Sequence, residues 1–157
     1  NFLQNGKKNI KNNFFWRNCM LNKRRHPRFP VIKDFGHAVS IGTEKETFPG
    51  IILNFSAGGM LLLMYSDIPV NAEVSLMINI PKMETKKILG KVMRSKFKNT
   101  MWEIGLEFIE IDTLDSKKIN RMAIDFNDCE TKIALGALDI CKKECSYYVL
   151  CDKKQKI

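Results

Sequence analysis

Two stretches of the chain alternate between apolar and other residues, with Met77 the one apolar residue out of step. Val74, Leu76, Ile78 and Ile80 are separated by Ser75, Met77 and Asn79, and Trp102, Ile104, Leu106 and Phe108 by Glu103, Gly105 and Glu107. Successive side chains of an extended backbone point to opposite faces, so each stretch places four apolar groups on one face of a strand. Weaker runs at residues 37–41, 47–54, 60–64 and 87–95 predict four more strands, with turns at 42–45, 66–71, 81–85 and 98–100. Six short strands with no helix between them imply antiparallel pairing, and closure into a barrel removes exposed edges.

After Ile109 the period changes. Ile119, Met122, Ala123 and Phe126 fall at i, i+3, i+4 and i+7, which predicts a helix that covers a barrel opening, with Asp112 or Thr113 to cap its start. Ala134, Leu138, Cys141 and Cys145 also share a helical face and predict a second helix over 131–146, weakened by Gly136. The expected fold is all-β with a helical C-terminal extension, a six-stranded antiparallel (split) β-barrel. Its expected parts are a polar basic lead-in at 1–22, the barrel with its closing helix at 23–126, and a Cys-containing helical tail at 127–157.

A length of 157 residues suits one domain with a modest extension. The 26 Lys and Arg against 17 Asp and Glu leave a net charge of +9, which favours anionic partners. Much of that excess lies near the ends, in Lys7, Lys8, Lys11 and Arg17 and in Lys142, Lys143, Lys153, Lys154 and Lys156, and reads as solvated tails. No stretch approaches the ~20 apolar residues that span a bilayer, and Phe14-Phe15-Trp16 is too short for a signal-peptide core, so a cytoplasmic location is expected. The chain lacks an initiator Met, which leaves room for an upstream domain.

Five cysteines in a reducing compartment are poor evidence for disulfides. Cys129, Cys141, Cys145 and Cys151 are candidate zinc or iron–sulfur ligands, with Cys19 apart, but their spacings of 12, 4 and 6 match no common metal signature. Packing as small buried hydrophobes is the favoured reading, with no metal expected. HExxH, GxSxG and GxxxxGK(S/T) patterns are missing, and both histidines, His26 and His37, lie in or near one basic segment, so catalysis is not expected.

That segment, Lys23-Arg24-Arg25-His26-Pro27-Arg28, precedes the first predicted strand, and Pro27 biases it towards an extended arm. Guanidinium forks match phosphate oxygens and the O6/N7 edge of guanine, and can stack on a base. By itself such an arm reads as a solvated linker or a nonspecific nucleic-acid patch. A second motif, Asn54-Phe55-Ser56-Ala57-Gly58-Gly59, lies between two apolar runs, where it reads as a turn in which Asn54 and Ser56 bond nearby backbone and Gly58 and Gly59 take positive φ.

Together the two motifs resemble the signatures of the PilZ family, RxxxR at Arg24 to Arg28 and (D/N)xSxxG at Asn54 to Gly59. Trp102-Glu103-Ile104-Gly105-Leu106-Glu107-Phe108 is similar to the family's closing strand. The resemblance covers about Asn22 to Phe126. It implies a PilZ-type barrel that binds cyclic di-GMP and signals to an unidentified downstream protein. In that role Arg24 and Arg28 would grip phosphates and guanine, Asn54 and Ser56 would bond the guanine edge, and Gly59, beside Gly58, would allow close approach of ligand to backbone. Arg25 adds a phosphate contact or faces solvent, and His26 is read as a surface or packing residue. Two alternatives remain: a PilZ-like protein-interaction module without nucleotide binding, and a basic nucleic-acid binder. The resemblance disfavours the latter.

Overall fold

In the computed structural model, which describes residues 25–152, the alternating stretches become two strands of one barrel, with a third strand between them. Its strands are β1 (Phe29–Pro30), β2 (Val39–Gly42), β3 (Thr47–Ser56), β4 (Gly59–Met64), β5 (Glu73–Ile78), β6 (Ile88–Lys98) and β7 (Met101–Glu110). Antiparallel pairing runs β3-β2-β5-β6-β7-β4, and β4 returns to β3, closing six strands into a ring with β1 outside it on β3. The six expected strands are β2 to β7, each displaced at its ends by a few residues. The short β1 was not expected.

The inward positions are those the alternation indicates. Val74, Leu76 and Ile78 of β5 and Ile104 and Leu106 of β7 are buried, and meet Ile41, Leu62, Met64 and Val92 from the other walls. Burying each such aliphatic side chain is worth about 1.5–3 kcal/mol relative to exposure. At the tip of the β6–β7 hairpin, Asn99 and Thr100 have φ of 49° and 71°, the left-handed geometry of a tight two-residue hairpin turn.

Helix α1 (Thr113–Ala134) follows β7. Asp112 is its N-cap, accepting hydrogen bonds from the backbone N–H of Leu114 and Asp115 at 3.0 and 3.3 Å. The Lys86 ammonium donates to Asp112 at 2.8 Å and the Lys86 N–H to Asp115 at 2.9 Å, which ties the helix start to the loop before β6. Hydrogen bonding from Lys86 holds the Asp112 carboxyl below its ordinary range. Ile119, Met122 and Ala123 are buried and Phe126 packs beside them, as the helical stripe predicts.

The second helix expected over 131–146 does not form. Instead α1 runs through Phe126 and on to Ala134, then ends where Gly136 takes a φ of 76° and its N–H bonds the Ile133 carbonyl. A left-handed residue cannot continue a right-handed helix, and glycine adopts that conformation without steric penalty. The chain then doubles back along α1 into a 3₁₀ helix, Ser146–Leu150. Asp125, buried on α1, draws it in: the Lys142 ammonium donates to it at 2.6 Å, the Ser146 N–H at 2.7 Å and the Ser146 hydroxyl at 2.6 Å. Tyr147 is buried against Phe29 and Phe126, and its hydroxyl donates to the Pro30 carbonyl at 2.6 Å. The returning tail therefore rests on α1 and on β1 together.

Burial alone would raise the pKa of Asp125, but the hydrogen bonds from Lys142 and Ser146 outweigh it and bring the pKa from 3.8 to about 2. A carboxylate whose folded pKa is depressed stabilises the fold above its unfolded pKa and loses that contribution as pH falls towards the folded value. Asp125→Ala is expected to cost about 1–3 kcal/mol near neutrality. In denaturant titrations the gap between variant and wild type should narrow as pH falls from about 4 to about 2. A gap that stays constant across that window would show that the charge contributes nothing.

Candidate ligand-binding cleft

The β3–β4 connection is a tight turn, with Ser56 and Gly59 paired across it and Ala57 and Gly58 at its tip. The buried Ser56 hydroxyl donates to the Gly59 carbonyl at 3.4 Å and accepts from the Gly58 N–H at 3.2 Å. The Gly58 carbonyl accepts from the Phe108 N–H at 2.9 Å, which fixes the turn against β7.

Neither Gly58 nor Gly59 takes the positive φ that the turn reading expects, since the left-handed glycines among the described residues are Gly36 and Gly136. Their need for a bare Cα is one of space. A Cβ on Gly59 would lie 2.1 Å from the Leu106 carbonyl oxygen, so here the missing side chain makes room for β7 rather than for a ligand. A Cβ on Gly58 would lie 2.9 Å from His26 Cδ2. The His26 ring thus packs over Gly58, in keeping with the packing role expected of it.

The basic arm is held to this turn by β1, because Phe29 pairs with Phe55 and Pro30 with Asn54. Phe29 and Phe55 are buried with ring centroids 4.7 Å apart, which anchors the start of the strand. The residue before Phe29 is Arg28 and the residue after Phe55 is Ser56, so the register brings the arm alongside the turn.

A cleft of about 730 Å³ opens there on the outer wall of the barrel. Arg25, His26 and Arg28 line it from the arm, Ser56, Gly58 and Gly59 from the turn, and Met93, Arg94, Gly105 and Glu107 from β6 and β7. Arg25 and Arg28 are exposed. Arg94 lies across Gly105, where a Cβ would meet its Cγ at 2.8 Å, and its guanidinium donates to Glu103 at 3.0 Å. Three guanidinium groups thus border one concave surface, a setting for a polyanion.

Five of the seven expected site residues meet here: Arg25, Arg28, Ser56, Gly58 and Gly59. Arg24 lies outside the described residues. Asn54 is not part of the cleft lining, although its strand partner Leu61 is, and its side-chain oxygen is buried without a hydrogen-bond partner among the described residues. The contributions of Met93, Arg94 and Glu107 carry no sequence signal, because barrel closure and a register shift between Val92 and Arg94 bring them to the turn.

Metal ligation by the tail cysteines finds no support. Among the described residues no three or more His, Cys, Asp or Glu side chains are grouped to hold a metal. The helical face proposed to pair Cys141 with Cys145 does not form, and Cys145 and Cys151 pack instead against the core edge. Burial raises the pKa of Cys145, keeping it a thiol. Among the described residues no helix is long and apolar enough to cross a membrane.

The described residues thus form a closed antiparallel barrel with a basic cleft on its outer wall. The chain belongs to the PilZ domain family, whose model matches residues 22–125. PilZ domains are ligand-binding receptor and adaptor domains. No curated protein sequence matches the chain. Among solved structures it is similar to the inhibitor of motility MotI/DgrA of Bacillus subtilis, with 21% identity, 67% of this chain and 51% of that chain covered, and a TM-score of 0.56. The K. pneumonia MrkH–c-di-GMP complex gives 21%, 71%, 55% and 0.54. Escherichia coli YcgR in complex with c-di-GMP gives 12%, 73%, 50% and 0.56. At such identities the likeness establishes the fold, and the chain spans about half the length of each of these proteins.

Proposed function

We propose that this domain is a receptor for cyclic di-GMP that works as an adaptor rather than as an enzyme. The observation that carries the reading is the shared cleft, in which Arg28 of one PilZ signature, with Arg25 from a variable position of that motif, lines the same surface as Ser56, Gly58 and Gly59 of the other. Arginine forks pair with phosphate oxygens through short charge-assisted hydrogen bonds, and cyclic di-GMP carries two such phosphates. The MrkH and YcgR structures hold that nucleotide, which lends support from relatives of the same fold. Ser56 contributes by holding the turn, since its hydroxyl is already engaged with Gly59 and Gly58 and keeps one acceptor site. The Asn54 oxygen, unpaired among the described residues, suits an N–H donor from the ligand.

Binding would be passed on through β1. The arm runs directly into Phe29–Pro30, and Pro30 accepts the Tyr147 hydroxyl from the tail, so ordering the arm biases where the tail rests. The changed tail surface is then what an unidentified downstream protein reads. Calorimetric titration with cyclic di-GMP at physiological salt is expected to give saturable micromolar binding. Hydrogen exchange on the same sample should report altered protection in both the arm and residues 146–150. No binding would overturn the receptor reading and favour a protein-interaction module. Binding with unaltered exchange in the tail would overturn the adaptor mechanism alone.

A further inference from the structure

The cleft holds one residue whose charge opposes its expected ligand. Glu107 is the sole carboxylate among the described residues lining it, between the arm, the turn and Arg94. It sits on β7, where buried Ile104 and Leu106 face inward and Glu107 is exposed on the outer wall. Its strand partners are Gly59 on one side and Lys91 on the other. Its side chain makes no hydrogen bond or ion pair among the described residues, unlike Glu103 four positions earlier, which accepts from Arg94. An unpaired carboxylate in a phosphate cleft repels the phosphates. Near a base it is an acceptor with two oxygens.

Guanine offers what such an acceptor needs. Its Watson–Crick edge presents two adjacent donors, N1–H and the N2 amino group, spaced to meet both oxygens of one carboxylate. Adenine places an acceptor, its own N1, at the corresponding point. Resting on the cyclic di-GMP reading above, we propose that Glu107 reads the Watson–Crick edge of one guanine and sets the base specificity of the cleft, while the arginines hold the phosphates.

Cyclic di-IMP tests this, because it differs from cyclic di-GMP only in lacking the N2 amino groups. Both dinucleotides are titrated against wild type, Glu107→Gln and Glu107→Ala, with circular dichroism to confirm that each variant is folded. Wild type should prefer cyclic di-GMP by about tenfold or more, the worth of a hydrogen bond to a charged group. In both variants the preference should collapse to within about threefold, even where loss of the negative charge tightens binding of both ligands. An unchanged preference in folded variants would overturn the assignment and leave Glu107 as background charge, with the receptor reading intact. Absence of any cyclic di-GMP binding by wild type would overturn the receptor reading and this one with it.

Discussion

Replacing Arg28 with alanine is expected to weaken cyclic di-GMP binding by about 30-fold to more than 1,000-fold, the equivalent of about 2–5 kcal/mol for a lost charged contact. Arg28 is held in place by its neighbour: Phe29 is buried against Phe55, so the arm cannot slide along the turn and another cation cannot take Arg28's position. Because Arg28 is itself exposed, the variant should unfold at close to the wild-type temperature, which separates loss of ligand from loss of fold. Arg28→Lys should recover only part of the affinity, since a point charge replaces a planar fork. Calorimetry on the three proteins decides the matter. An Arg28→Ala protein with wild-type affinity would remove the arm from the site. A loss tracking only the salt dependence of a one-charge change would point to a nonspecific polyanion surface, for which each cation counts alike.

Legibility in the sequence followed how locally each feature is determined. β5 and β7 could be read because each buries one face, and a one-sided wall imposes a two-residue period whatever its neighbours are. The stripe Ile119, Met122, Ala123 and Phe126 was readable for the same reason at helical period. β1 was not, since two residues carry no period and their pairing depends on Phe55 and Tyr147, far away in the chain. The expected second helix does not form because left-handed Gly136 ends the first one, and the apolar spacing of Ala134, Leu138, Cys141 and Cys145 gives no common buried face. In the fold Leu138 is 87% exposed, and Asp125 draws Ser146 back along the first helix. The arm and the turn of the candidate site were visible as two contiguous motifs. Arg94 and Glu107 were hidden because what matters about them is which strand lies beside the turn, and that is settled only when β4 pairs with β7.

Gly59→Ala is expected to be among the most damaging single substitutions in the barrel, and for a reason separate from ligand binding. The added methyl would sit 2.1 Å from the Leu106 carbonyl oxygen, which belongs to the backbone of a strand hydrogen-bonded on both sides. A side chain could rotate away; this oxygen moves only if β4 and β7 separate where the ring closes, next to buried Met60 and Leu106. Overpacking of this kind costs about 2–4 kcal/mol, which for a domain of this size lowers the midpoint of thermal unfolding by on the order of 10 °C. Gly58→Ala provides the contrast. Its methyl meets the His26 ring, which can swing aside with the arm, so the unfolding temperature should hold while the displaced arm weakens binding. Thermal melts of the two variants, read beside titrations with cyclic di-GMP, should therefore show opposite patterns. Equal unfolding temperatures for Gly59→Ala and wild type would mean that β4 and β7 are not held together at this point as the register places them.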